Sequence, residues 1–233
     1  MKVLVIVLVV ALASPSWSAI AFVQGTQVDS SSSLAFGSNV TAGSMLIVAL
    51  RCSAGASCPS FTDTLSNSYS TAVGNNNGDS FVCIAYALNT TAGANTITQS
   101  GCAGTVRMAI SEFSGVSTSG ALDLTNNASG VSATATSGTV TPTENNEVII
   151  GAAHANDSTD LSASAPFTNI AAGGIKVRSE YEIQTTATTR EASFTLTSNG
   201  WGCVVASFKQ AGAAAVTVLP SILGDGLITG QQF

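Results

Sequence analysis

The sequence predicts an all-β fold, a two-sheet antiparallel β-sandwich of the jelly-roll type. Short apolar segments alternate with polar positions at a period of two, the pattern of strands with one buried face. Turn residues separate these segments about every eight to twelve positions, as in sandwiches and barrels. No helical period is sustained long enough for an isolated helix. Two packed sheets are the simplest way to close so many strands without an internal repeat.

An export signal is expected before the domain. Residues 1–21 combine a basic start at Lys2, an apolar run over Val3–Ala13 and a small-residue exit, which is the pattern of a secretory signal peptide. Ala19-Ile20-Ala21 fits the cleavage rule, and Ser16-Trp17-Ser18 is the competing site. The apolar run is shorter than the roughly 20 residues of a membrane span. We therefore expect a secreted, extracellular or cell-surface protein.

The domain is expected to cover residues 22–209, with strand patterns throughout. The low charged fraction of 9% and the many Ser, Thr, Asn and Gly residues favour short strands joined by tight turns. The predicted strands are Ile20–Val28, Ser33–Phe36, Met45–Cys52, Ser60–Leu65, Tyr69–Val73, Ser80–Leu88, Asn95–Gln99, Thr105–Ser114, Ala121–Thr125, Ser132–Thr141, Glu147–His154, Phe167–Ala171, Lys176–Gln184, Glu191–Thr197 and Gly202–Lys209.

Turn chemistry predicts how some strands are joined. Asn75-Asn76-Asn77-Gly78-Asp79 contains Asn-Gly, which favours a type I′ hairpin between the strands on either side. Ser66-Asn67 is expected to form a second hairpin tip, because Ser and Asn tolerate left-handed conformations. Asn39-Val-Thr-Ala-Gly43 and Asn89-Thr-Thr-Ala-Gly93 resemble one another, and we interpret the likeness as shared turn chemistry.

The segment Gly104–Gly115 is expected to be a central strand that carries a buried acid. Its alternation places Glu112 on the same face as Val106, Met108 and Ile110. Burial of a charge without partners is costly. We expect a structural role, in which backbone N–H groups of a neighbouring loop, or an arginine such as Arg51 or Arg190, satisfy Glu112.

Five cysteines suit an oxidising compartment, and their odd number leaves at least one unpaired. Cys52 and Cys58 bracket a short Ser/Gly/Ala loop and are the predicted disulfide. Cys102 is an alternative partner for Cys58. Cys83 and Cys203 lie within apolar strands and are expected to be small core residues. The chain has no CxxC pair or Cys/His cluster of the kind that binds zinc.

Charge and the C-terminal segment restrict the partners. A net charge of −6 and the lack of a basic stripe argue against nucleic acid. Residues 210–233 form an expected flexible linker followed by an apolar tail, in which Pro220 and Asp225 argue against a membrane span. This tail is a candidate for docking on the domain or for self-association.

Six short motifs occur in order along the predicted domain. They are Ala21-Phe22-Val23-Gln24, Asn39-Val-Thr-Ala-Gly43-Ser-Met-Leu-Ile-Val, Asp63-Thr-Leu-Ser-Asn67-Ser-Tyr69, Gly93-Ala-Asn-Thr-Ile-Thr98, Ser111-Glu-Phe-Ser-Gly115 and Trp201–Lys209. Together they resemble single-domain jelly-roll-like β-sandwich proteins among bacterial secreted proteins and phage virion or tail-associated proteins. The resemblance covers Ile20–Lys209, implies the fold and carries over no catalytic residue.

Two catalytic chemistries are considered first. A glycoside hydrolase would pair Glu112 with Glu180 or Glu182 across a cleft, at roughly 5 to 5.5 Å in a retaining enzyme. Against it, Trp201 is the one tryptophan left after signal removal to stack on sugar rings. Serine catalysis lacks a GxSxG elbow, and the single histidine, His154, has no identifiable partner. We expect His154 to be a solvated loop residue.

Oxygen-rich loops offer two candidate calcium clusters, although neither has EF-hand spacing. One consists of His154, Asp157 and Asp160, and the other consists of Asn75, Asn77 and Asp79. Ordinary Asx turns account for both clusters more simply, so no cofactor is expected, with a structural calcium ion as the alternative.

Binding is the expected function. Trp201, Tyr181, Tyr69 and Tyr86 are the candidate ligand-stacking groups, and Trp201 has an end plug of the core as its alternative role. We expect a non-catalytic binding or adhesion module with a glycan or cell-surface polymer as ligand. A structural subunit of a cell surface or virion is the alternative, and the hydrolase is the second.

Overall fold

The chain folds into antiparallel sheets, and the described residues contain no helix. This computed structural model describes residues 18–157, 160–171 and 176–212. The strands in that part of the chain are Ala21–Asp29 (β1), Ser33–Ala35 (β2), Met45–Cys52 (β3), Ser60–Asp63 (β4), Ser70–Asn76 (β5), Phe81–Ala87 (β6), Thr96–Ser100 (β7), Val106–Ser114 (β8), Leu122–Val140 (β9), Glu147–Ala155 (β10), Ser162–Ala163 (β11), Thr168–Asn169 (β12), Val177–Gln184 (β13) and Arg190–Lys209 (β14). Most of the predicted signal segment and the tail 213–233 lie outside the described residues.

The described strands form three sheets. The front sheet has the order β1-β8-β3-β6-β5. The back sheet has the order β11-β14-β10-β13-β12, and β9 pairs with β14. A side sheet, β2-β7-β4, covers the outer face of the front sheet. The all-β class and the β-sandwich are therefore confirmed, whereas the jelly-roll connectivity stays a prediction.

Three apolar clusters lie between these layers. The first packs the front sheet against the back sheet, for example Ile47 and Phe113 with Ile150 and Phe208. The second packs the opposite face of the front sheet against the side sheet. The third covers the outer face of β10 with parts of β9 and β14. Every residue of β3 and β10 is consequently buried, because both faces of these strands are covered.

Two pairs of predicted strands merge into single long strands. The residues between them, Asn126–Val131 on β9 and Ser198–Trp201 on β14, remain extended because the two strands pair with each other there. The pairing register of β14 with β9 shifts between Thr195 and Asn199, and this irregularity separates the two halves of β14.

The predicted Asn-Gly hairpin is confirmed, and the predicted Ser66-Asn67 hairpin is wrong. β5 pairs with β6, with Gly78 at a φ of +96°. Of the two central turn residues only Gly78 has a positive φ, as in a type II′ rather than a type I′ turn. Ser66 does adopt a left-handed conformation, but β4 pairs with β7 of the side sheet and not with β5.

Asp63 organises the loop that was expected to be a hairpin. Its carboxyl oxygens accept five hydrogen bonds, from the Leu65 and Asn67 backbone, the Asn67 and Asn95 side-chain amides and the Tyr69 hydroxyl. Burial would raise the pKa of Asp63, but the hydrogen bonds to its charged form lower it overall. The carboxyl group thereby joins the side sheet to the entrance of β5.

The two resembling turns lie next to each other. Val40 and Gly93 exchange both backbone hydrogen bonds, at 2.8 and 3.1 Å, and Gly43 donates to the Thr90 carbonyl at 2.9 Å. Gly43 and Gly93 both have positive φ, which explains why both motifs of this chain have Gly at the same position. The likeness between the motifs therefore corresponds to a mutual pairing of two turns.

The predicted Cys52–Cys58 disulfide is wrong. The bonds are Cys52–Cys102 and Cys58–Cys83, with Cα separations of 5.7 and 5.8 Å. Cys52 and Cys83 lie on the front-sheet face that meets the side sheet, and Cys58 and Cys102 pack against that same cluster. Strand alternation thus directs each bond between layers rather than along one loop. Cys203 is an unpaired, buried core residue, as predicted, whereas the same prediction for Cys83 is wrong because Cys83 is bonded to Cys58.

We predict that Asp63→Ala lowers the free energy of unfolding by about 2–3 kcal/mol, because it leaves buried donors such as Asn95 without their acceptor. The contribution of Asp63 should be present above its unfolded-state pKa of 3.8 and should be lost as pH falls below it, since its folded-state pKa is lowered. Urea unfolding at pH 7 and pH 3 measures both effects.

Asp157→Ala is the matched control for this experiment. The Asp157 side chain is 85% exposed and pairs with Lys176, so its loss should cost at most about 1 kcal/mol. Equal destabilisation by the two substitutions would contradict the role assigned to Asp63.

Candidate functional site

Asn and Asp side chains from three segments meet at one end of the space between the front and back sheets. Asn75 donates to Asn127 Oδ1 at 2.9 Å, which joins β5 to β9. Asn77 donates to Asn156 Oδ1 at 3.0 Å, and Asn156 donates to Asp79 Oδ2 at 2.6 Å. We call these five residues the Asx end. These hydrogen bonds connect the β5–β6 turn to β9 through Asn127 and to the end of β10 through Asn156.

Local turn chemistry fixes the geometry of the Asx end. The Asn76 side chain accepts from the Gly78 backbone at 2.8 Å, and the Asn77 side chain accepts from the Asp79 and Ser80 backbones at 3.1 and 3.0 Å. These are Asx turns, in which the side chain takes over the role of a backbone carbonyl. The predicted cluster of Asn75, Asn77 and Asp79 is thus held in place before any ligand arrives.

Two cationic side chains converge beneath the Asx end. Arg51 and Lys176 donate to the same acceptor, the Asn156 carbonyl, at 3.4 and 2.8 Å. Arg51 also donates to Ser80 at 2.7 Å, is buried, and forms no ion pair with any described residue. Burial and the neighbouring Arg107 lower the pKa of Arg51. Arg51 therefore helps to hold the Asx end and does not contact Glu112, which was one predicted partner.

His154 lies fully buried beside this cluster, not in a solvated loop. Neither of its ring nitrogens has a hydrogen-bond partner among the described residues. Gly202 leaves the necessary room, because a Cβ built there would stand 2.8 Å from both His154 Nε2 and Asn75 Oδ1. Burial and the nearby Arg51 charge lower the pKa of His154 to about 3. The imidazole is consequently neutral at physiological pH.

The predicted His154, Asp157 and Asp160 cluster is not assembled. Asp157 pairs with Lys176 at 3.3 Å, and Asp160 accepts from the Thr197 backbone and hydroxyl at 2.9 and 2.6 Å. No group of three His, Cys, Asp or Glu side chains that could hold a metal occurs within the described ranges. A structural calcium ion stays a prediction.

The four candidate stacking aromatics lie in three different apolar clusters. Trp201 is 7% exposed, packs in the third cluster and donates from Nε1 to Ser132 at 2.9 Å. Tyr86 and Tyr181 pack against the first cluster, where the Tyr181 ring stacks on Phe22. Tyr69 packs against the second and donates to Asp63. The structure does not bring these rings to a shared surface.

Glu112 is buried in an interior strand, as predicted, and both of its carboxyl oxygens are occupied. Oε1 accepts from the Thr41 backbone at 2.8 Å and from the Ser44 hydroxyl at 2.9 Å. Oε2 accepts from the Gln24 amide at 2.7 Å. A loop N–H is thus one partner, and neutral side chains take the place of the arginine.

Glu112 and the other proposed acids of a hydrolase do not face one another. Glu112 lies on the front-sheet face that is directed away from the back sheet. Glu182 pairs with Arg190 at 2.7 Å, and Glu180 is buried beneath β14 with Oε1 accepting from Ser193 at 3.0 Å. Burial raises the pKa of Glu180 to about 9. The carboxyl groups therefore occupy separate surroundings rather than one cleft.

Two members of the Asx end, Asn127 and Asn156, were missed at the level of sequence. Asn127 lies within Asn126-Asn127 and Asn156 lies within Asn156-Asp157, pairs that resemble ordinary turn signals. Each was separated in the chain from the predicted Asn75 cluster by at least 48 residues, and only the pairing of strands brings them together. The shortest separation is that from Asp79 to Asn127, 127 − 79 = 48.

Comparison of the chain with protein-family models, with curated proteins and with solved structures finds no match. The fold and its bonds define the class as an all-β protein of antiparallel sheets with two disulfides. The disulfides are consistent with an extracellular protein. Within the described residues there is no helix of the length and apolarity needed to cross a membrane.

We predict that His154 makes the protein less stable as pH falls. The folded-state pKa of about 3 lies below the unfolded value of 6.5, so the stability contributed by the neutral form is present above pH 6.5 and declines below it. One proton corresponds to a slope of at most about 1.4 kcal/mol per pH unit. His154→Gln should remove this slope.

Urea unfolding of both proteins at pH 7, 6, 5 and 4 measures the difference. Because His154 is the single histidine of the chain, no other imidazole contributes between these pH values. Parallel stability curves for the two proteins would show that His154 is not held neutral by the fold.

Proposed function

We propose that this protein is an extracellular, non-catalytic binding module, and that its ligand is a glycan or a related neutral polyhydroxylated cell-surface polymer. The observation that carries the proposal is the Asx end, where amide and carboxyl groups from both sheets are held together at the surface. The site supports this proposal and the fold does not, because β-sandwiches serve many functions.

The chemistry of the Asx end suits a ligand rich in hydroxyl groups, each of which donates and accepts hydrogen bonds. Asn77 and Asn156 each use one of two amide N–H donors within the cluster. The Asn127 side-chain amide nitrogen and Asp79 Oδ1 have no partner among the described residues. Donors and acceptors therefore both remain for a ligand.

Pre-organisation favours binding at this end of the sandwich. Side chains fixed by Asx turns and by mutual hydrogen bonds lose little conformational freedom when a ligand arrives. Arg51 and Lys176 hold the Asn156 carbonyl from below, so the strand end that carries Asn156 is fixed as well.

Charge favours a neutral ligand over an anionic one. The chain carries a net charge of −6, Asp79 is exposed at the Asx end, and Lys176 is already paired with Asp157. Arg51 is buried below the surface. The separate surroundings of Glu112, Glu180 and Glu182 also support a binding role over hydrolysis.

A glycan array with the secreted protein, followed by calorimetric titration of the best ligand, tests the proposal. Asp79→Ala and Asn127→Ala should each weaken binding about tenfold, because each removes surface hydrogen-bonding groups. Asn39→Ala is the matched control, since Asn39 is exposed and lies on the loop next to Glu112.

The control should bind as tightly as the wild type, and all three variants should keep its melting temperature within a few degrees. The proposal fails if no array glycan binds. It also fails if the two Asx-end variants bind the ligand as tightly as the control.

A further inference from the structure

The outer edge of β9 is a long unpaired strand edge. β9 extends over Leu122–Val140 and pairs with β14 along one side. No described strand pairs with its other side. Between Thr125 and Ser132 the pairing with β14 is free of register shifts, so this part of the edge is a regular extended segment.

The regular segment of this edge lacks charged side chains and proline, which normally prevent strands from pairing between molecules. Native edges are blocked by charged side chains, proline or bulges. The run Leu124–Val140 contains no charged residue and no proline. The register shifts of β9 lie outside the regular segment, between Leu122 and Thr125 and between Thr136 and Thr139. The Asn127 N–H donates to the Asn126 side chain at 2.8 Å, a bond that pairing with a second copy would replace.

An exposed apolar side chain lies on the regular part of the edge. Val131 is 81% exposed, the most of any large hydrophobic side chain in the described residues. Its neighbours on the same face, Thr125, Asn127 and Ser129, are small, neutral and exposed. The nearest carboxyl group along the strand, Asp123, is neutralised by Lys209 at 3.4 Å.

We propose that this edge pairs with the same edge of a second copy of the chain, in an antiparallel, two-fold symmetric arrangement. A two-fold contact uses one surface twice, so the surface must be compatible with itself. The neutral β9 edge satisfies this condition, because no like charges meet when it is paired with its own copy.

Side-chain direction restricts the register of the pairing. Opposite residues of an antiparallel pair lie on the same face of the sheet, so the exposed residues must meet one another. A two-fold axis at Ala128 places Thr125 opposite Val131 of the second copy and Asn127 opposite its Ser129. This register uses the whole regular segment and covers Val131 with a β-branched side chain.

The pairing would continue the back sheet from one copy into the other. Backbone hydrogen bonds provide its affinity, and burial of Val131 adds to it. The interface does not depend on the proposed glycan ligand. Because the paired segment includes Asn127 of the Asx end, Asp79→Ala separates the two proposals: it should weaken glycan binding and leave the dimer intact.

Sedimentation velocity of the full secreted chain over a range of concentrations tests the pairing. We expect a reversible dimer in the wild type and a monomer in Ser129→Lys and Val131→Lys, because a charge on each copy would be placed at the centre of the contact. Ser119→Lys adds the same charge on an exposed loop and should remain dimeric.

Cysteine cross-linking tests the register. The double variant Thr125→Cys/Val131→Cys should form a covalent dimer under mild oxidation, since each of these exposed residues faces the other in the second copy, whereas Ser119→Cys should not. Far-UV circular dichroism confirms that each variant is folded, and the two lysine variants provide independent tests. A wild-type chain that stays monomeric would overturn the proposal, as would a dimer that neither lysine variant weakens.

Discussion

The need to satisfy the buried carboxyl group of Glu112 is the constraint on which the arrangement of one end of the sandwich depends. A polar group without partners in such surroundings would cost several kcal/mol. The three donors to Glu112 come from β1 and from the loop before β3, namely Gln24, Thr41 and Ser44. One side chain of β8 thereby fixes an edge strand and a long connection at the same time.

The loop that satisfies Glu112 is itself held by a second loop. Val40 pairs with Gly93, and Thr90 donates through its backbone and its hydroxyl to the Ser44 carbonyl at 3.2 and 3.0 Å. The entrance of β3, the exit of β6 and the end of β8 are therefore joined by one polar network. Asp63 extends the same principle to the side sheet, where one carboxyl group accepts five hydrogen bonds. In a chain with few charges, two carboxyl groups held by neutral donors therefore connect layers of the fold.

The Asx end lies at the opposite end of the same two strands. In the β3–β8 register Glu112 faces Leu46 and Arg107 faces Arg51, five residues further along β3, or about 17 Å. At one end of these strands the carboxyl group of Glu112 is fully occupied by donors of the protein. At the other end, the side chains of the Asx end still have hydrogen-bonding groups available for a ligand. Structural and proposed binding roles are thus divided between the two ends.

Features that depend on neighbouring residues were predictable from the sequence. Alternation located the strands and the burial of Glu112, and Asn-Gly located the β5–β6 hairpin, because both signals act over a few residues. The partners of Cys52 and Cys58 were not predictable, since they depend on which faces of two layers meet. The sequence does not show whether Trp201 and the three tyrosines lie at the surface or in the core, because both surroundings suit these side chains and tertiary packing determines which one they occupy. The Asx end combines a recognisable turn with Asn127 and Asn156, whose approach follows from strand pairing.

Amide hydrogen exchange at Thr41 tests the central role of Glu112 most directly. Thr41 and Ala42 are neighbouring exposed residues of one turn, but the Thr41 N–H donates to Glu112 and the Ala42 N–H has no partner among the described residues. The Thr41 amide should exchange at least about a hundredfold more slowly than the Ala42 amide, and Glu112→Ala should abolish the difference. Equal exchange rates at the two amides in the wild-type protein would contradict the account.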